Sequence, residues 1–145
     1  MSLDNPGCRL YDYLMETEEI KRFCRENGIE LFVLFGSCTL GKIHPASDID
    51  VAVKFKKGTD ISKLELIYRL DDLLDGKHID LVILTADTDS LLLYEVFFNG
   101  KLLYEEQPGF FERGKLRAWK LYIDTEKIRE MQRKYLKEFV ERVVL

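Results

Sequence analysis

Asp48 and Asp50 stand two positions apart in a run, Asp48-Ile49-Asp50-Val51-Ala52-Val53, that otherwise reads as a β-strand. Strand side chains alternate, so residues two apart share a face. Their Cα atoms would lie roughly 6.5–7 Å apart at about 3.3 Å per residue. Like charges held that close cost free energy unless a cation sits between them. Folding gives no reason to place them there, and metal binding does. Gly36-Ser37 precedes the pair, with ten residues between. Glycine lets backbone approach a ligand closely. If Ser37 opens a short helix, its N–H groups and hydroxyl face an anion at the positive helix end. A loop that can hold a triphosphate beside a strand that can hold a metal makes a site for a metal–nucleotide complex.

Asp80 is a third carboxylate out of place. It interrupts the apolar run of residues 78–84, His78-Ile79-Asp80-Leu81-Val82-Ile83-Leu84. A charge on a central strand is expensive if buried. It becomes reasonable if this strand lies beside that of Asp48 and Asp50. Three carboxylates on adjacent strands can hold two divalent ions about 3.5–4 Å apart, the arrangement used for in-line phosphoryl and nucleotidyl transfer. Hard oxygen ligands select Mg²⁺ or Mn²⁺ over zinc. Taken singly, each feature has a plainer explanation: Gly-Ser a turn, Asp-x-Asp a solvated cap, Asp80 an edge charge that blocks aggregation. In this order and at these strand positions, the three together favour the site.

The elements that must position these residues follow from periodicity. Residues 17–26 carry Ile20, Phe23 and Cys24 among charges, an amphipathic helix with Thr17 as N-cap and Asn27-Gly28 as its stop. Residues 29–35 form a buried strand, residues 37–47 end as a loop after a possible short helix, and residues 48–55 form the second strand. A helix over 61–74 stops at Asp75-Gly76-Lys77, and the third strand follows. Residues 87–98 read as a helix stopped by Asn99-Gly100, residues 101–104 as a short edge strand, and 110–144 as largely helical with a break near Asp124-Thr125. The fold class expected is α+β, a mixed α/β arrangement. A small mixed sheet is flanked by helices, packed mostly on one face, with a long C-terminal helical segment. The first two strands should be antiparallel, and the second and third parallel through a βαβ crossover. One domain is expected, with a core over about 17–106 and a helical extension over about 108–144.

Of the 145 residues, 46% are apolar, enough for one sizeable core, and the net charge is −4. No basic tract points to nucleic acid as the main partner. Cys8, Cys24 and Cys38 lack CxxC spacing, which supports neither a disulfide framework nor a zinc site and makes the reducing cytoplasm the default. No apolar run reaches the roughly 20 residues of a membrane span. Cys38 reads as a small buried filler without a partnered base. His44 reads as a surface loop histidine, and His78 as structural or solvated. Trp119, Tyr122 and Tyr135 read as core or interface packing, and the charges of 111–141 as a solvated helix face that leaves room for a partner surface.

Gly36-Ser37, ten residues, Asp48-x-Asp50 and Asp80 resemble the minimal nucleotidyltransferase family of the DNA polymerase β superfamily. The resemblance spans roughly residues 29–104, including the LLLYEVFFNGKLLYE ending. Compact members of this family often pair with an α-helical HEPN-domain toxin as its antitoxin, and some transfer AMP from ATP onto a toxin tyrosine. The resemblance implies that Asp48 and Asp50 hold the Mg²⁺ or Mn²⁺ that carries the triphosphate. Asp80 would complete a second metal site and help deprotonate the attacking hydroxyl, while Gly36 and Ser37 would bind the β and γ phosphates of ATP. Many relatives carry a small residue and then Arg before the glycine matching Gly41; here these are Thr39 and Leu40, with Lys42 nearby. That departure puts turnover and acceptor choice in question more than metal binding. An antitoxin that neutralises by binding alone is therefore the second expectation. A small-molecule, aminoglycoside-type enzyme is a third, disfavoured because such enzymes usually need a larger second domain. A templated or tailing polymerase lacks room for a primer-binding domain.

Overall fold

The computed structural model describes residues 18–36, 49–74 and 78–144. Helix α1 spans Glu18–Glu26 and buries Ile20 and Cys24, four residues apart on one face. The side-chain amide of buried Asn27 donates to the Phe23 carbonyl at 2.8 Å and so closes its last turn. Gly28 follows at φ +67°, the left-handed residue that commonly ends a helix. The proposed N-cap Thr17 lies outside the described residues, as do Asp75, Gly76 and Lys77.

Strand β1, Ile29–Phe35, is the spine of the sheet, because its apolar side chains are buried on both faces. It pairs antiparallel with β2, Ile49–Phe55, and with β4, Lys101–Glu105. β2 pairs parallel with β3, Ile79–Ile83, giving the order β3-β2-β1-β4. The crossover between β2 and β3 is helix α2, Lys63–Leu73, whose Ser62 hydroxyl accepts from the Glu65 N–H as an N-cap. The strand directions are those expected from the connection lengths.

Helices cover both faces of this sheet rather than mostly one. On the first face, α1 and α2 pack Ile20, Cys24, Leu66 and Leu70 against Phe32, Leu34, Ile49, Val51, Val53 and Leu81. On the second, Leu31, Val33, Phe35 and Ala52 meet Leu93, Val96, Phe97, Phe111 and Ala118. The one-face expectation underweighted β1, whose apolar run from Leu31 to Phe35 needs cover on both sides. The second cover starts at Ser90, later than expected. Asp89 caps it by accepting from the Leu91 and Leu92 N–H groups, and Thr85–Thr88 is a hydrogen-bonded turn. Helix α3, Ser90–Tyr94, runs into one π-helical turn, Glu95–Asn99.

Helix α4, Phe110–Val144, is continuous through Asp124-Thr125, where a break was expected. The Thr125 hydroxyl bonds back to the Leu121 carbonyl at 2.7 Å and lies 3.0 Å from the Ser90 hydroxyl, so the β-branched residue is absorbed without a kink. The Glu105 carboxylate accepts from the Gly109 and Phe111 N–H groups, which ties the start of α4 to β4. Tyr122 packs as expected, stacked on Tyr94 at 4.4 Å, whereas Trp119 and Tyr135 are exposed.

Candidate functional site

Alternation along β2 sends Ile49, Val51 and Val53 into the α1/α2 core and leaves Asp50 with Ala52 on the opposite face. Along β3, Ile79, Leu81 and Ile83 pack on that same core, which leaves Asp80 on the face of Asp50. The two aspartates are direct register partners across the parallel pair. Their backbones are therefore about 4.8 Å apart, with both side chains on one face. Asp50 is half-buried and Asp80 exposed. Exposure removes the penalty that a buried central charge would carry, because β3 is an edge strand rather than a central one.

Gly36 closes the arrangement from the other side. Asp50 also registers with Phe35, the residue just before Gly36. Gly36 adopts φ +78°, a left-handed conformation that favours glycine. A Cβ built at Gly36 would collide with the Asp50 carboxylate. Glycine is thus required twice, by backbone conformation and by the carboxylate against it.

Gly36, Asp50 and Asp80 come together in one row across β1, β2 and β3. Ser37 and Asp48 lie outside the described residues, with Cys38, Thr39, Leu40, Gly41, Lys42 and His44. Among the described residues no three His, Cys, Asp or Glu side chains gather as a metal-ligand group. Asp50 and Asp80 alone form a pair of hard oxygen donors on one face. That donor chemistry fits Mg²⁺ or Mn²⁺, and a divalent cation would relieve their repulsion.

The same face carries a second feature at the other end of β2. Lys54, two alternations beyond Asp50, lines a cavity of about 390 Å³ with Phe97, Phe110, Arg113 and Arg117. Lys54 lies over the Phe110 ring at 4.9 Å and pairs with Glu30 at 3.6 Å. Four residues of strand separate Lys54 from Asp50 by about 13 Å, so the cavity is a different place from the carboxylate row. Sequence reading passed over these cations. Their signal was the alternation Asp50, Ala52, Lys54 and the four-residue step from Arg113 to Arg117.

Comparisons with known proteins agree with the fold. A family model described as polymerase beta, nucleotidyltransferase, matches residues 18–109. A solved structure of a toxin–antitoxin with AMP-PNP is similar at 26% identity and TM-score 0.67, over 82% of this chain and 96% of that one. A MntA toxin–antitoxin complex carrying two Asp→Glu substitutions gives 25% identity and TM-score 0.68, with 82% and 96% covered. A tri-AMPylated Shewanella oneidensis HEPN toxin in complex with MNT antitoxin shares the fold at 23% identity and TM-score 0.64, over 88% of this chain and 98% of that chain. No match is found among curated proteins. Among the described residues, no helix is long and apolar enough to cross a membrane. With the family model matching well over half its length, and its four-stranded mixed sheet in agreement, the chain belongs to the polymerase β nucleotidyltransferase family.

Proposed function

We propose that this chain is a metal-dependent nucleotidyltransferase that moves AMP from ATP to a protein hydroxyl, acting as the antitoxin partner of a HEPN-domain toxin. The observation that carries this reading is the row of Gly36, Asp50 and Asp80, with glycine held against one carboxylate and the second in register beside it. Family membership and the similarity to a toxin–antitoxin with AMP-PNP support it.

Asp50 and Asp80 would hold Mg²⁺ or Mn²⁺, with Asp48 as the third ligand. The bound ion would supply charge neutralisation at the triphosphate and at the attacking oxygen. Gly36, with no side chain between its backbone and the Asp50 carboxylate, would let the β and γ phosphates approach, and Ser37 would bond to them. In the reaction, the acceptor oxygen forms a bond to the α-phosphorus as the bond from that phosphorus to the bridging oxygen breaks. Pyrophosphate leaves, and AMP stays on the acceptor. Asp80, exposed on the edge strand, would take the hydroxyl proton from an acceptor as large as a protein.

Incubation with ATP, Mg²⁺ and a cognate HEPN-type toxin, read by intact mass, tests this. The toxin should gain AMP with the wild-type chain, and Asp50→Asn should lower the rate by about a thousandfold or more, several kcal/mol of lost charge stabilisation. Leu40, where many relatives have Arg, favours a second reading: an antitoxin that acts by binding alone. On that reading the toxin mass stays unchanged, and the Asp48→Asn/Asp50→Asn double variant neutralises as well as wild type.

A further inference from the structure

The cavity at the far end of β2 has no part in the transfer described above. Its volume of about 390 Å³ falls in the roughly 300–1,000 Å³ range of small-molecule sites. Its floor is apolar. Leu84 just past β3, Leu93 of α3, Phe97 of the π-helical turn and Ala118 of α4 all line it and are all buried.

Its mouth is cationic. Lys54, Arg113 and Arg117 line it, and both arginines are exposed. Lys54 and Arg113 lie over the Phe110 ring at 4.9 and 5.9 Å, contacts that hold these cations at the cavity wall. Glu30 partly balances Lys54. Neither arginine forms an ion pair with a described residue. They stand one helical turn apart on α4, about 6 Å along the axis, where like charges oppose each other. Among the described residues, no carboxylate lines the cavity to relieve them.

These two halves ask for one kind of ligand. A bare inorganic anion would leave the apolar floor wet, and a neutral ring would leave the arginines without a partner. The guanidinium fork matches the paired oxygens of a carboxylate or a phosphate. Phe97 and Phe110 favour an aromatic body against them. We propose that this cavity binds a small aromatic anion, with its ring against Phe97 and Phe110 and its carboxylate or phosphate between Arg113 and Arg117. About 13 Å of strand separates Lys54 from Asp50, so binding here needs neither the carboxylate row nor a metal.

The test is calorimetry on the full chain, with naphthoate and naphthyl phosphate as probes and naphthalenemethanol as their neutral counterpart. At least one of the two anions should bind saturably at one site per chain, and the tighter one gives the head group. The alcohol should bind about tenfold more weakly or worse. Arg113→Gln and Arg117→Gln, both at exposed positions, should each weaken the anion by about tenfold without lowering the melting temperature of the free chain. Ala86→Trp, at the exposed lip of the cavity, should block entry and abolish binding. Asp50→Asn should bind the probe as the wild type does, so this site and nucleotidyl transfer can each fail alone. Saturable binding by neither anion, equal binding of the alcohol, or indifference to both arginine variants or to Ala86→Trp overturns the proposal. Displacement of the probe by ATP with Mg²⁺ in the wild type but not in Asp50→Asn also overturns it, and makes the cavity part of the nucleotide site.

Discussion

At the scale of single residues, Gly36 and Asp50 are coupled by contact. Gly36→Ala must hold a side chain in a left-handed conformation, at roughly 1–2 kcal/mol, and must displace the Asp50 carboxylate. The melting temperature should fall, and Asp50→Gly in the same chain should recover the part caused by the collision. A double-mutant cycle measures that part, and strict additivity would contradict the contact. The candidate row itself was legible in the sequence, because strand periodicity fixes which residues share a face. The collision at Gly36 was not, since it depends on how the end of β1 meets a side chain of β2. The exposure of Asp80 was also hidden: spacing can mark β3 as a strand but cannot say whether another strand lies beyond it.

Among the elements, the packing of α4 on the sheet turns on Gly114. A Cβ there would strike the Phe97 ring, which is buried and in contact with Phe111. Alanine in a helix interior ordinarily gains about 1 kcal/mol over glycine. Here Gly114→Ala should instead destabilise by about 1–3 kcal/mol, the range for overpacking a filled core. Phe97→Leu should offset part of that in chemical denaturation. Within α1, burial pushes the Cys24 thiol far up from its ordinary range, against a small lowering by Arg25. The reactive thiolate is therefore scarce at neutral pH. Peptide mapping should find Cys24 unalkylated in the native chain and alkylated after unfolding. The helices and strands were visible as periodic runs, and their pairing directions followed from connection lengths. The π-helical turn at Glu95–Asn99 had no comparable signal, because its apolar residues fit an α-helix equally well. Gly100 runs so close to the Val96 carbonyl and to Val33 that any side chain would overlap both.

For the whole molecule, function and stability meet at the carboxylate row. A ligand present at about a hundredfold excess over its Kd adds about 2.7 kcal/mol of stability, or about 5–10 °C for a chain of this size. Mg²⁺ or Mn²⁺ with ATP should raise the melting temperature of the wild type by that much. Asp50→Asn should lose most of the response. A wild-type melting curve indifferent to metal and ATP would count against the shared site. The most direct test of nucleotidyl transfer compares ATP labelled at the α-phosphate with ATP labelled at the γ-phosphate, each given to the chain with a HEPN-type toxin and Mg²⁺. The expected result is label on the toxin from the α-position only, pyrophosphate released in equal amount, and both lost in Asp50→Asn. Label from the γ-position, no label from the α-position, or full transfer by Asp50→Asn would contradict the account.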